Sequence, residues 1–314
     1  MSAVFFVHIP KTAGTSFRKA CEAYFGEDKV LYDYHPDMKE TSEMVKEWVY
    51  QKNDYIGLDS QLSSSGKKFL SGHVPAIKYV HLLGVANTIA FVRDPVQRVV
   101  SEYHHHVRHN GYGKELRTFY LEKHAINRQS RMLNRVPLEA VGFVGLTEAY
   151  ERSLVEINSR YGVTIKSVQL NQGRSDQQST YELDDETLTE IRHLNADDLR
   201  FYEHAERLFQ QRTQLFDEGK SYTHGLIQEG NANTLRGWAW YAAADKPVEV
   251  AVCVNGHEDK RIVAKDIRPG ILQLSPPRKG YVGFHHKFSK PLKKNDSVEC
   301  VVASTGQVIG RYTV

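Results

Sequence analysis

The feature that most constrains this chain is its opening, where an apolar run at residues 3–9, Ala-Val-Phe-Phe-Val-His-Ile, breaks at Pro10 into Lys-Thr-Ala-Gly-Thr-Ser. Phe17, Ala20, Cys21 and Tyr24 then recur at helical spacing, so a helix is expected from Ser16. A buried strand, a short loop and an amphipathic helix make one unit, and repetition of that unit gives a parallel sheet with helices on its faces. The runs at 67–72 and 87–92 supply two more strands, and Asp94-Pro95 opens a helix with a capping residue followed by proline at the first helical position. Further on, 115–135 and 148–161 read as helices, Val141 to Leu146 as a strand, and 185–193 with 196–210 as a helical pair with Asn195 as cap. In such α/β sheets ligands bind beyond the carboxyl ends of the strands, which directs attention to the residues after 9, 72 and 92.

The pattern changes after residue 218. Residues 218–234 are rich in Gly, Asn, Ser and Thr, and beyond them the apolar period becomes two, as in Val248, Val250, Val252 and Val254. Turn signals at Asn255-Gly256, Pro269-Gly270, Asn295-Asp296 and Gly306 divide 226–314 into six or seven short strands, the pattern of a small antiparallel β-sandwich. With 314 residues the chain exceeds the size at which one core keeps growing, so a 1–218 domain and a 226–314 accessory domain are expected. Trp238 and Trp240 fall on one strand face and read as core residues rather than as a ligand platform.

Charge and cysteine content narrow the partners. Lys and Arg outnumber Asp and Glu by 41 to 38, too small an excess to argue for nucleic acid. Cys21, Cys253 and Cys300 form no C-x-x-C pair, so neither a zinc site nor a disulfide framework is expected. Cys253 and Cys300 either face one another from strand-like runs or are buried small hydrophobes. The apolar start is too short for a signal peptide and no window is apolar enough to cross a bilayer, so a cytoplasmic protein without a transmembrane segment is expected.

The junction His8-Ile9-Pro10-Lys11-Thr12-Ala13-Gly14-Thr15-Ser16 places consecutive backbone N–H groups and a helix N-terminus where they can hold an anion. Lys11 adds a cation, Ala13 and Gly14 permit close approach, and Thr12, Thr15 and Ser16 carry hydroxyls. Lys11 precedes the glycine and no G-x-x-x-x-G-K sequence exists, which disfavours a kinase. The segment resembles the 5′-phosphosulfate loop of the sulfotransferase superfamily that uses 3′-phosphoadenosine 5′-phosphosulfate (PAPS), in particular its carbohydrate branch. Phe91-Val92-Arg93-Asp94-Pro95 followed by Arg98 and Ser101 resembles that superfamily's 3′-phosphate pattern, which implies that Arg93 and Ser101 contact the 3′-phosphate. On the Asp94 helix, Asp94, Arg98, Ser101 and His105 share one face, while Val96, Val99, Val100, Tyr103 and Val107 share the other and should pack on the sheet. Arg98 either serves the ligand or pairs with Asp94. His104, His105 and His106 diverge by about a hundred degrees per residue, so the three cannot share one ion, and no metal is expected.

His73, in Ser71-Gly72-His73-Val74, ends the second apolar run and so falls at the same sheet edge as Lys11 and Arg93. A hydroxyl attacks sulfur poorly unless a base removes its proton, and histidine titrates near neutrality. The stretch is similar to Gly-His-Val of the uronyl 2-O-sulfotransferases, whose histidine is the base, although Ser71 stands where that family has a preceding histidine; Glu102 and Glu22 are the alternative bases. Asn127 to Leu133, Val144 to Glu148, and Asn195 to Tyr202 with Phe209 extend the resemblance to roughly residues 3–210. Thr147 and Glu148 read as structural, and Arg131 either approaches the nucleotide or an anionic acceptor or is solvated. The resemblance implies a PAPS-dependent sulfotransferase with Lys11 and His73 as catalytic residues, no metal, and a hydroxyl acceptor, preferentially on a glycan. The rival from another class is a non-catalytic nucleotide- or glycan-binding protein on the same scaffold.

Overall fold

The computed structural model describes residues 3–168 and 180–314. Its order opens with β1 (Val4–Val7), α1 (Gly14–Phe25), β2 (Val30–Asp33) and α2 (Glu43–Val45), the last running on as a π-turn through Lys46–Gln51. Next come α3 (Tyr55–Ser64), β3 (Phe69–Gly72), α4 (Val80–Leu83), β4 (Thr88–Val92) and α5 (Pro95–His109). Then follow α6 (Leu116–Tyr120), α7 (Arg128–Met132), β5 (Phe143–Leu146), α8 (Tyr150–Tyr161), α9 (Asp185–Leu194) and α10 (Ala196–Asp217). Among the described residues no helix is long and apolar enough to cross a membrane.

The five strands form one parallel sheet in the order β2-β3-β1-β4-β5. Every strand of four or five residues is buried along nearly its whole length, as a sheet covered on both faces requires. Phe6, Phe69, Phe91 and Phe143 from four strands meet Phe17, Ala20 and Cys21 of α1 and Leu154 and Ile157 of α8 in one apolar cluster. The registers Val7↔Gly72 and Val7↔Ala90 align the carboxyl ends of β1, β3 and β4, so the residues that follow them emerge side by side.

Two expectations need correcting. The valines of α5 do not pack on the sheet: Val96, Val99 and Val100 cluster with Tyr120 of α6 and Ile191 of α9, and Val107 is exposed. Helical period fixes which face is apolar but not what covers it. Residues 115–135 are not one helix either. Two five-residue helices stand there, and Asn127, with φ 47°, takes the left-handed turn that separates the second from what precedes it.

Contacts divide the chain into two compact units, 3–83 with 87–138, 143–168 and 180–209, and 84–86 with 139–142 and 210–314. The second unit holds eight strands: β6 (Thr223–Gly230), β7 (Thr234–Tyr241), β8 (Val248–Val254), β9 (His257–Ala264), β10 (Asp266–Ile267), β11 (Tyr281–Lys287), β12 (Ser297–Val302) and β13 (Val308–Thr313). They form two four-stranded antiparallel sheets, β10-β11-β7-β6 and β13-β12-β8-β9. Leu235 and Phe284 of the first sheet meet Val248, Val250, Val252, Val298 and Cys300 of the second in a single core. Strand β6 begins three residues before 226, so any division of the chain belongs ahead of Thr223. Trp238 and Trp240 are buried, with ring centroids 4.6 Å apart, as their alternation suggests. Cys253 and Cys300 are free thiols that do not face one another: Cys253 lies opposite Glu299 and Cys300 opposite Val252, which puts the two sulfurs on opposite faces of their sheet.

Candidate active site

The loop between β1 and α1 is held in a conformation that residues with a Cβ seldom adopt. Lys11 and Ala13 both have positive φ, 65° and 62°, a cost of order 1–3 kcal/mol at each such position that persists where the surroundings enforce it. The enforcement is visible. Thr12 is fully buried and its hydroxyl donates to the Ile9 carbonyl at 2.9 Å, His8 N–H extends the β1–β3 ladder by donating to Gly72 O at 3.0 Å, and Phe17 N–H closes the first helical turn on Ala13 O. Left-handed residues interleaved in this way turn successive N–H groups toward one concavity. No acidic residue stands in the first turn of α1, so its N-terminal N–H groups and positive dipole end meet no competing carboxylate there. Gly14 is required on steric grounds: a Cβ there would lie 2.1 Å from Cδ2 and 2.4 Å from Nε2 of the His8 ring. Thr15 is exposed and Ser16 half-buried at the same helix end.

Cations gather on this loop. Arg93, the first residue after β4, reaches Lys11 O with Nη1 at 3.4 Å. Burial, followed by the charges of Arg108 and Arg93, lowers the Lys11 pKa from its ordinary value. His105 is driven down to about 4, first by burial and then by Lys11. The cradle thus contains more positive charge than it compensates. Ser101 is buried on α5.

Arg93 is fixed by its backbone as well as by its side chain. Gln129, fully buried on α7, accepts from Arg93 N–H at 2.9 Å and donates to Arg93 O at 2.8 Å. Gln129 is in turn held by Asp198 of α10, whose buried carboxylate accepts from Gln129 N–H, Ser130 N–H and the Ser130 hydroxyl at 2.7–3.0 Å. Asp198 therefore caps α7. The cap of α10 is reciprocal: Asp198 N–H donates to Asn127 Oδ1 at 3.0 Å, while Asn195, expected to cap α10, instead accepts from Asn127 N–H at 2.8 Å. Thr147 and Glu148 are structural, the first donating to Val92 O and the second accepting from Asp94 N–H.

His73 follows β3 directly. Gly72 before it is obligatory, because a Cβ there would lie 2.2 Å from Asp33 O on the neighbouring strand. The His73 ring stands 4.4 Å from that of His8 and 4.7 Å from that of Tyr34, and its Nδ1 lies 2.6 Å from the His8 carbonyl oxygen. A carbonyl can only accept, so Nδ1 carries the proton and Nε2 keeps its lone pair. The surrounding protein, by desolvation, brings the imidazolium pKa down to about 4, with Arg128 adding to the depression and Glu102 opposing it. The residue nevertheless stays open to solvent, which limits that desolvation. His8 itself is buried, with Nδ1 3.1 Å from the Tyr34 hydroxyl, and burial holds it well below the ordinary histidine value.

The alternative bases are engaged elsewhere. Glu102 faces Arg98 at 2.5 Å and Arg128 at 3.3 Å. Glu22 binds Arg18, Lys19 and the Tyr32 hydroxyl, whose hydrogen bonds and charges keep its pKa below the usual carboxylate value against the opposing effect of burial. Arg98 does not pair with Asp94. It is fully buried, bonded to Glu102 one turn onward and to Ala125 O, while Asp94 caps α5 by accepting from Gln97 N–H. Arg131 turns away to donate to Lys123 O and Ile126 O, whereas Arg128, three residues earlier, is the arginine of that helix whose charge reaches His73. Arg128, Arg108, His8 and Tyr34 are the site residues whose role the sequence did not disclose.

The sulfotransferase family (Sulfotransfer_2) matches residues 2–140. A solved sulfotransferase from Alicyclobacillus acidocaldarius is similar over 65% of this chain and 96% of its own, at 18% identity and a TM-score of 0.34. No curated protein sequence matches the chain. The Lys11 loop, His73, Arg93, Ser101 and Arg128 all lie within the residues that this family resembles.

Proposed function

We propose that the chain transfers a sulfuryl group from PAPS to a carbohydrate hydroxyl, with His73 as general base and Lys11 as the cation at the leaving phosphate. The observation that carries this reading is the Nδ1 contact of His73 to the His8 carbonyl, 2.6 Å, three residues before Lys11 on the same loop. One backbone segment holds the base in the tautomer that leaves Nε2 able to accept a proton, and also supplies the anion cradle. The residues suit a bisphosphorylated donor: a positive-φ loop and helix end at one place, Arg93 and the Ser101 hydroxyl at another.

Bound PAPS supplies a sulfuryl group already attached to a good leaving phosphate. What remains for the protein is placement and charge stabilisation. Lys11, whose own ammonium is disfavoured by Arg108 and Arg93, regains favourable interaction as negative charge grows beside it. His73 Nε2 takes the acceptor hydroxyl proton. Gln129 fixes Arg93 so that the distal contact does not move during transfer. The C-terminal unit is read as an accessory domain.

His73→Ala tests this. It should bind 3′-phosphoadenosine 5′-phosphate as tightly as the parent by calorimetry, yet lose about 10²–10⁴ in transfer rate. Transfer within about threefold of the parent would remove His73 from the mechanism.

A further inference from the structure

We propose that His106, His124 and Glu102 form a site for one transition-metal dication of the zinc and cobalt class, bridging helix α5 to the turn that precedes α7. One ligand atom from each of the three residues lies within 4.8 Å of the other two. Of the three consecutive histidines on α5 only His106 takes part; its partner comes from the turn after α6. Around a common tetrahedral ion with bonds of about 2.0–2.1 Å, ligand atoms stand about 3.3 Å apart, so the set closes by at most about 1.5 Å in any pair from its 4.8 Å limit.

The two imidazoles are already positioned. Both pack on the fully buried Phe119, at 5.4 Å for His106 and 5.3 Å for His124, and their centroids are 5.9 Å apart. His124 Nδ1 lies 3.2 Å from Glu122 Oε2, and Glu122 accepts from the Tyr112 hydroxyl at 2.7 Å through its other oxygen. That carboxylate places negative charge beside Nδ1, and Nε2, buried, is left without a hydrogen-bond partner. A carboxylate beside one ring nitrogen of a histidine whose other nitrogen is unsatisfied resembles the arrangement found behind metal-ligating histidines. His106 Nδ1 lies 3.2 Å from the Asn110 amide, which by a half-turn accommodates either tautomer.

Glu102 supplies the negative charge. Its two oxygens offer about four lone-pair sites, of which Arg98 and Arg128 occupy two. Two imidazoles and one carboxylate favour zinc, cobalt, nickel or copper over magnesium or calcium, which prefer all-oxygen sets. The neighbouring arginines add to that selection, since a hard ion held by charge alone is repelled by them.

Titration of the full chain with Co²⁺, then Zn²⁺, decides the matter. The parent should bind one Co²⁺ per chain with a ligand-field spectrum of tetrahedral intensity, and Zn²⁺ should displace it. Glu122→Gln should weaken binding about 10–100-fold, and His124→Ala and His106→Ala at least as much. His105 and His109 form a second histidine pair on α5, with ring centroids 4.8 Å apart, and their double replacement by alanine is the control that should leave the cobalt spectrum intact. Far-UV circular dichroism checks that each variant is folded; should His124→Ala unfold, Glu122→Gln supplies the answer. The proposal fails if the parent gives no such spectrum, if His106→Ala and His124→Ala bind as tightly as the parent, or if the His105/His109 variant alone loses the ion.

Discussion

Replacing Gly14 by alanine isolates the contact that couples the anion loop to the candidate base. Gly14 already has helical backbone, so alanine meets no conformational obstacle there, and helix propensity favours it by about 0.5–1 kcal/mol. The obstacle is the His8 ring, 2.1 Å from the new methyl group. His8 has little room to yield: it is buried, stacks on Phe6 at 5.5 Å, packs against His73 at 4.4 Å in a tilted arrangement, and bonds to Tyr34. Overpacking of this kind costs about 1–3 kcal/mol, leaving a net loss of up to about 2.5 kcal/mol after the helical gain. At about 2–4 °C per kcal/mol, the N-terminal unit should melt up to about 10 °C lower by calorimetry. In a His8→Ala background the same change meets no ring and should be neutral or stabilising, a coupling of about 1–3 kcal/mol between the two sites. If Gly14→Ala melts at or above the parent, or if the two substitutions are additive, the steric argument is wrong.

Acid should act on both stability and rate. His8, His73 and His105 have folded pKa values below the ordinary 6.5, so the unfolded chain binds more protons between that value and about 4, and stability should fall as pH falls through that window. For kcat/KM of the donor the acid limb should lie below 6.5, and for kcat it should lie higher, because a bound anion beside His73 favours its protonated form; coincident limbs near 6.5 would contradict the desolvation of the His73 imidazolium. Asp198→Ala removes three hydrogen bonds at the start of α7 and loosens Gln129, so melting should fall by at least the about 0.5–2 kcal/mol of a lost helix cap, and calorimetric affinity for 3′-phosphoadenosine 5′-phosphate should fall with it. Unchanged affinity in folded Asp198→Ala would mean that Gln129 does not position Arg93. Arg128→Ala should impair transfer, whereas Arg131→Ala, which loses only bonds to Lys123 O and Ile126 O, should change melting alone; the reverse pattern in a transfer assay would refute this assignment.

The candidate site was legible where chemistry sits at the ends of apolar runs. Lys11, His73 and Arg93 each follow a strand that sequence alone marks, and register then brings them together. It was illegible where segments are short. Strand β2 is four residues, Val-Leu-Tyr-Asp, too brief to show a period, and it brings Tyr34 to His73. In a five-residue helix such as α7, nothing in the pattern distinguishes an inward Arg128 from an outward Arg131, since both lie on a segment of little more than one turn. The valine face of α5 was read correctly as apolar and assigned to the wrong partner, because α6 and α9 that cover it are separated from it by sequence of no clear period. His8 was visible, but its two services, a carbonyl for His73 and a ring against Gly14, exist only in three dimensions.

The placement of α5 bears on how the unit comes apart. Helix α1 is rooted in the cluster of the sheet, through Phe17, Ala20 and Cys21, whereas α5 is rooted through Val96, Val99 and Val100 in a separate cluster with α6 and α9. Two such clusters can open with different free energies, and amide exchange would register them as separate steps. An anionic ligand that spans both helix ends acts on the weaker one first: it adds RT ln(1 + [L]/Kd) to any opening that breaks the site, about 2.7 kcal/mol at a hundredfold excess over Kd. Saturation with such a ligand would then merge two exchange steps into one, so that α5 and α1 come to share a single protection level although among the described residues their apolar clusters are separate.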